Sequence, residues 1–585
     1  MVLVVLASAV ILLVAYVTYG SLLTRLLRLD KTAVTPAVEM RNDLDYAPID
    51  KAPLMNQHFS AIAAAGPIVG PILAGAMFGW VPALIWILIG SIFVGGVHDF
   101  SVLVASIRHR ARSVTEVVRE HMSRRSFTFF LIFVWFALVY IIVAFTDITA
   151  AAFVGTQTLE DGQQVSGGGI ATSSLLYLAL PIIMGLLVRY TRMSLSMATW
   201  IFLPLVGVAI WVGQYIPFDV AAIVQSISPG MSSVDAEAQA VRIWDVALLG
   251  YCCVASVVPM WILLQPRGQL GGVFLYAALG AGAAGLLLGG APIQLPAFSG
   301  WTSMKGDALF PVLFITVACG ACSGFHALVA SGTTSKQLRY ETDAKAIGYG
   351  AMLLEGMVAI VSLCCVMMLA PGSELLENPR PNFIYAQGIG TFLGTLGIPA
   401  ALGVAFALMA FTTFVYDTLD VCTRLGRYIV QELTGWQGAK GRWVGTLVTA
   451  GVPLMFVMRT SVDAAGNPVP VWRTFWGLFG ASNQLLAALA LLAVMVWLWQ
   501  TRRVWWVWPI VGIPMVWMYV MSVWALSDVI RGAMDRGAYW DPVTWIAVLL
   551  VILSVLMIYE AAASILRGAT PRSSEGEVSP APASA

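Results

Sequence analysis

The chain has 585 residues, 59% of them hydrophobic and only 11% charged, with a formal net charge of +1. A water-exposed globular surface needs about a quarter of its residues charged, so this composition excludes a soluble protein and makes lipid the solvent. The near-neutral balance, with no basic cluster interleaved with aromatics, leaves no nucleic-acid partner to expect.

Hydropathy divides the chain into about fifteen apolar spans of roughly 20 residues, the pattern of an all-α polytopic membrane protein. They fall near 1–24, 58–79, 82–106, 127–153, 171–188, 195–215, 245–265, 271–290, 310–334, 346–370, 386–421, 443–458, 476–500, 504–526 and 543–566. The first lacks a basic leader and is followed by Arg25 and Arg28, so 1–30 reads as a retained peripheral helix with its N-terminus outside. Residues 31–56 then form an inner loop and 217–244 the longest outer one. The span 386–421 is long enough to hide a re-entrant piece. The tail 568–585 is small, polar and proline-bearing, and reads as a disordered inner segment.

Charge supports this topology. Of the 32 Lys and Arg, all but Arg242, Lys305, Arg380, Arg459, Arg473, Arg531 and Arg536 fall in alternate loops predicted to face inside. Among these, Arg267, Arg424 and Arg427 read as anchors or loop residues at the inner surface. The seven cysteines sit in apolar stretches, and Cys319-x-x-Cys322 lacks the second pair that a zinc or redox site needs. No cofactor is expected.

The span 58–79 carries Gly66-Pro67 and Gly70-Pro71, two Gly-Pro pairs four residues apart. Proline lacks an N–H and clashes with the preceding turn, so this helix should open near its middle. Backbone groups freed in hydrocarbon must be buried by protein or solvated in a cavity. Transporters hold small charged solutes on such half-helix ends, which makes Ala65, Gly66, Pro67 and Gly70 candidate substrate contacts. The alternative is a kink that only shapes helix packing. Span 245–265, with Gly250, Tyr251, Ser256 and Pro259, also reads as interrupted, and adds Tyr251 and Ser256 to the candidates.

Counting 58–79 as the first helix makes 245–265 the sixth. Matching interruptions in two halves of five helices imply inverted repeats, 57–216 and 245–421, the logic of a LeuT-like 5+5 core. Residues 1–30 would add one helix before it, and 422–567 about four after it. Two unrelated kinks are the other reading.

Ionisable groups within spans are costly and usually functional. They are His98 and Asp99, Asp147, His326, Glu355, and the pair Asp417 and Asp420. Imidazole beside a carboxylate can switch charge near neutrality, which suits a proton relay. His58, His98 and Asp99 could instead ligate a metal. Each could equally be a satisfied structural hydrogen bond.

Several stretches carry a family resemblance: Arg41-Asn42-Asp43 with Asp45-Tyr46-Ala47-Pro48, and His58-Phe59-Ser60-Ala61-Ile62-Ala63 running into Gly66–Pro71. Gly250-Tyr251 with Val254–Pro259 and Pro266-Arg267 share it, as does Phe310–Gly320 continuing through Ser323–Leu328 to Ser331–Thr334. Ile347–Leu353, Thr423-Arg424, Gly426-Arg427 and Leu478–Ala487 complete it. From about Arg41 to Leu491 the chain resembles the carbon starvation protein CstA family. That resemblance implies an inner-membrane secondary transporter, induced in nutrient limitation, for pyruvate and for short peptides or amino acids, with protons. The chain departs from the family in having Gln57-His58 for a usual His-His pair, and His98-Asp99 where Gln-Asp is common.

The expectation is therefore symport by alternating access. The amides around Ala65–Gly70 would meet the substrate carboxylate, with Tyr251, Ser256 and Ser323 completing the pocket. His98, Asp99, His326 and Asp147 would couple protons; Ser331, Thr333 and Thr334 lie where such folds often hold a coupling ion, and would serve Na⁺. A solute sensor with a transporter fold is the competing class. An enzyme is not expected, because no nucleophile, base and orienter fall together. No ring of charges or filter repeat suggests a channel.

Overall fold

The structure, a computed structural model, describes residues 1–42, 46–158, 164–191, 193–377, 379–436, 438–462 and 468–567. The predicted disordered tail with Arg572, and Asp43, Asp45 and Arg192, lie outside the described residues. Among those described, twelve helices are long and apolar enough to cross a bilayer, or thirteen counting one bent pair as a span.

In chain order the helices are α1 (Val2–Leu27), α2 (Lys51–Ile62), α3 (Gly66–Phe78), α4 (Trp80–Arg108), α5 (Val114–His121), α6 (Arg124–Ala152), α7 (Gly167–Tyr190) and α8 (Leu195–Tyr215). Then come α9 (Ser233–Val257), α10 (Leu264–Gly289), and three short pieces, α11 (Leu309–Thr316), α12 (Ala318–Ala321) and α13 (Gly324–Val329). The chain continues with α14 (Glu341–Met367), α15 (Pro381–Gly394), α16 (Ala400–Thr434), α17 (Gly438–Val457), α18 (Val471–Arg502), α19 (Trp508–Asp535) and α20 (Pro542–Arg567). Helices dominate because hydrocarbon offers the backbone no partners but its own. Serines start several of them: Ser123, Ser194 and Ser232 accept hydrogen bonds from the amides of Ser126, Met197 and Asp235.

Helix α18 is enclosed by protein along its length and forms the central strut, whereas α1, α8 and α20 are only about a quarter to a third buried. The loops predicted inside meet at one end of the bundle. There Arg108 pairs with Glu341 at 3.0 Å and donates to the Arg28 carbonyl, Thr35 donates to the Leu338 carbonyl, and Arg339 pairs with Asp50. At the other end the Trp80 and Val81 amides donate to the Pro296 and Ala297 carbonyls.

The predicted break in 58–79 is present: α2 and α3 meet at 44° across residues 63–65. The predicted break in 245–265 is not. Helix α9 starts at Ser233, inside the stretch expected to be an outer loop, and runs unbroken to Val257. Pro259 follows the C-cap Val258, where a residue that cannot continue a helix ends one. Polar Asp235, Glu237, Arg242 and Asp245 in its first half hid the true start from hydropathy.

The second interrupted span is 309–334. Between α12 and α13, Cys322 and Ser323 adopt extended backbone (φ −168° and −119°), and a π-helical turn, Ala330–Thr334, follows. The small-residue run Cys319–Gly324 was the available signal. The long span 386–421 resolves into α15, a 14-residue helix packed on α16, and α16 itself, which carries Arg424 and Arg427 as buried helical residues rather than loop ones.

The two broken spans lie against each other in opposite directions. The Ala47 and Ile49 amides, just before α2, donate to the Lys336 and Gln337 carbonyls, just after α13, while Ser299, ahead of α11, donates to the Phe78 carbonyl at the end of α3. Two glycines permit the approach: a Cβ on Gly66 would strike Cys319, and one on Gly70 would strike the Thr316 carbonyl oxygen. Gly70→Ala is accordingly expected to lower stability by about 1–3 kcal/mol through overpacking. Gly250→Ala, with nothing within 4 Å of the added methyl, should be neutral; thermal unfolding in detergent compares the two.

Candidate functional site

Each break is sealed by a side chain from a neighbouring helix. At the end of α2, Thr418 of α16 donates to the Ala61 carbonyl at 3.2 Å. At the second break, Asn483 of α18 accepts from the Phe325 amide at 2.9 Å and exchanges hydrogen bonds with Ser323 at 3.0 and 3.2 Å. Irregular backbone at membrane depth is tolerated only when its groups are partnered in this way. Ser323 is therefore placed at a break, but its hydroxyl is occupied by Asn483.

Just past that break, His326 sits between two carboxylates. Its Nδ1 lies 2.8 Å from Asp99 Oδ2, and its Nε2 lies 3.2 Å from Glu355 Oε2, close enough for an ion pair but not aligned as a hydrogen bond. The other oxygen of Asp99 is 2.7 Å from His98 Nδ1. All four side chains are fully buried. Asp99 follows a π-helical turn, Gly90–Gly95, and Glu355 follows another, Lys345–Gly350. Such turns shift helix phase by part of a residue and are frequent at functional sites. The predicted group His98, Asp99 and His326 is thus assembled, with Glu355 as a fourth member.

His58 neighbours this group through α2, and its Nδ1 is 2.8 Å from Thr334 Oγ1. His58 Nδ1 and His98 Nδ1 serve separate partners, Thr334 and Asp99, the Nε2 atoms of both are buried without a partner, and among the described residues His58, His98 and Asp99 do not form a converging group of ligand atoms. Ser331 and Thr333 donate to the Ala327 and Val329 carbonyls of their own helix, and Ser331 also accepts from the Val114 amide. Asp147 stands apart, accepting from the Trp472 amide at 2.7 Å and so capping α18.

A second buried cluster lies on the other side of α2. Arg267 at the start of α10 is fully buried, against the expectation of an inner-surface anchor. It pairs with Asp417 and, at 2.6 Å, with Asp420, binds the Tyr251 hydroxyl, and donates to the Tyr416 carbonyl at 2.9 Å. Tyr251 donates to Asp420 at 2.9 Å, and Ser60 of α2 to Asp417. Asp417 and Asp420, three apart on α16, share the one guanidinium. The planar guanidinium, with its several fixed donors, meets two carboxylates, a phenol and a carbonyl at once. Ser256 is elsewhere, bonded to Thr446 at 3.1 Å.

Between the clusters lies a small hollow of about 10 Å³, room for about one water, bordered by Gln57, His58, Ala61, Thr333, Thr334 and Asp417. Ala65, Gly66, Pro67, Gly70, Tyr251, Ser256 and Ser323 do not line it. Beyond it, at the Arg-rich end, a cavity of about 310 Å³ is lined by residues including Ser331, Gly332, Lys336, Leu425 and Glu432. Sequence reasoning singled out neither Arg267 nor Asn483 as site residues. Proximity to a guanidinium partner 150 residues away leaves no local mark.

The family model for carbon starvation protein CstA matches residues 1–380 and 372–525. Curated relatives include the peptide transporter CstA of Helicobacter pylori (strain J99), 32% identical over 85% of this chain and 78% of that one. The pyruvate/proton symporter BtsT of Escherichia coli (strain K12) is 30% identical over 90% of this chain and 81% of its own, and the peptide transporter CstA of the same strain is 30% identical over 89% and 80%. Among solved structures, MhsT in complex with L-phenylalanine aligns at TM-score 0.49 with 12% identity, covering 88% of this chain and 99% of that one. The Eremococcus coleocola manganese transporter, in complex with an aromatic bis-isothiourea substituted compound, aligns at 0.47 with 13% identity, covering 91% and 99%. With its many apolar helices and its relatives among transporters, this multi-pass membrane protein belongs to the carbon starvation protein CstA family.

Proposed function

We propose that the protein is a proton-coupled symporter that takes up small carboxylates such as pyruvate, or short peptides and amino acids, during carbon starvation. The observation that carries this reading is His326, buried between Asp99 and Glu355 where the two broken spans cross. A group that gains and loses a proton there changes the charge balance of both spans at once. The named activities of the relatives, peptide transport and pyruvate/proton symport, agree with it.

The mechanism is alternating access. With α7 and α8 left out of the count, the two broken antiparallel spans become the first and sixth of the bundle, which supports an inverted 5+5 core with bounds other than the expected 57–216 and 245–421. The charge distribution supports an orientation with the Arg-rich end in the cytoplasm, the N-terminus outside and the C-terminus inside, in what the reading takes to be a bacterial inner membrane. Substrate carboxylate replaces Asp417 on Arg267. As the breaks part, the amides of Ala65 and Gly66 at the positive end of α3 come within reach of the same anion.

A coupled proton cancels the charge of a monoanion, which otherwise works against about 2.3 kcal/mol per 100 mV of membrane potential. Uptake by proteoliposomes of pyruvate, alanine and a dipeptide, run in parallel, is expected to rise for the true substrate as external pH falls. Uptake that ignores pH and requires Na⁺ would move coupling to Ser331, Thr333 and Thr334. Binding without accumulation would make the protein a sensor.

A further inference from the structure

Outside the transport clusters, two histidines face one another at the Arg-rich end. His109 follows α4, and Glu120 and His121 close α5. The two Nε2 atoms are 2.9 Å apart, with the rings perpendicular. His109 Nδ1 lies 2.6 Å from the Ala105 carbonyl, which can only accept, so Nδ1 carries the proton of the neutral ring. The orientation of Gln500 is set by its Nε2, which donates to the His121 carbonyl at 2.9 Å and to Ser564 Oγ at 2.9 Å. Its Oε1 therefore faces His121 Nδ1 at 3.1 Å and fixes that proton too. Two neutral imidazoles held this way point lone pair at lone pair, a repulsive contact unless a cation stands beside both.

We propose that His109, Glu120 and His121 form a binding site for a divalent transition-metal ion of the zinc class. Two bonds of about 2.1 Å to one ion hold their nitrogens about 3.0–3.4 Å apart, near the separation seen. The Glu120 carboxylate completes a three-ligand set whose donor atoms lie within 4.8 Å of one another, and water fills the fourth position on its exposed side. The Ala105 carbonyl and Gln500 amide act as the outer partners that orient ligating histidines and set their tautomers. Among the described residues no other group of three such side chains converges in this way. Because Ser113, Thr115 and Glu116 beside the site line the 310 Å³ cavity, a bound ion would fasten the α4–α5 corner that walls it.

The test uses the full chain in detergent, free of any affinity tag, stripped with chelator and then titrated with Zn²⁺ and, separately, Co²⁺. One ion per chain is expected, with the visible absorption of low-symmetry Co²⁺ and a rise in unfolding temperature on adding Zn²⁺. His109→Ala and His121→Ala should lose all three signals. Glu120→Gln, on the exposed side and harmless to folding, should weaken binding about tenfold or more. Absence of stoichiometric binding in the wild type would overturn the proposal and leave the two rings sharing a proton. Equal affinity in the wild type and Glu120→Gln, or retention in a folded His121→Ala, would overturn it as well.

Discussion

Arg267→Met is expected to abolish uptake and to lower stability by about 3–5 kcal/mol, the cost of stranding buried charge. Asp417 and Asp420 both lean on this guanidinium, and no other cation pairs with them among the described residues. Loss of fold alone would not reveal a transport role, so the informative variant removes all three charges. Arg267→Met with Asp417→Asn and Asp420→Asn should regain most of the lost stability, since neutral, well-packed replacements of a buried ion cluster are often tolerated. Its uptake should nonetheless stay at background, because nothing remains to take the substrate carboxylate. Restored uptake in this triple variant would remove Arg267 from substrate binding. Arg267→Lys should recover little, because an ammonium cannot serve Asp417, Asp420, Tyr251 and the Tyr416 carbonyl from one plane.

His326→Gln is expected to uncouple the transporter. Glutamine keeps the volume and can still bond Asp99, so the chain should fold, but it carries no titrating proton. Accumulation against a gradient should fall to background while exchange of substrate across the membrane survives, and the residual exchange should no longer respond to external pH. Glu355→Gln removes a proton-accepting neighbour and should flatten the same pH response. Concentrative uptake that keeps its pH dependence in His326→Gln would exclude this histidine from coupling. Counterflow and pH-jump uptake on one batch of proteoliposomes measure both quantities.

Both experiments address groups of which the primary structure disclosed unequal shares. His98, Asp99 and His326 were legible one by one, because an ionisable residue in an apolar span is conspicuous. That Asp99 bridges the two histidines was not, since it depends on how a π-helical turn rotates α4 against α13. Arg267 lies three residues into α10, where composition alone resembles an interfacial anchor. Only the packing of α16 encloses it. Asp147, equally conspicuous in sequence, proved to be the cap of α18.

The first broken helix was written in Gly66-Pro67, whose proline takes the first turn of α3 just after the break, whereas Pro71 of the second pair lies within α3. The second needed no proline. The extended pair Cys322 and Ser323 is held from outside its own span: Asn483 of α18 takes the Phe325 amide and the Ser323 hydroxyl just beyond the break. What the amino-acid sequence determined by itself is the solvent, the helical class, the alternation of charged loops and the family, since each depends on composition or local pattern along the chain. Which acids share a base, which span opens opposite α2–α3, and which histidines face each other were decided only by tertiary structure, because those are contacts between residues far apart in the chain, brought together when neighbouring helices satisfy polar groups that lipid cannot.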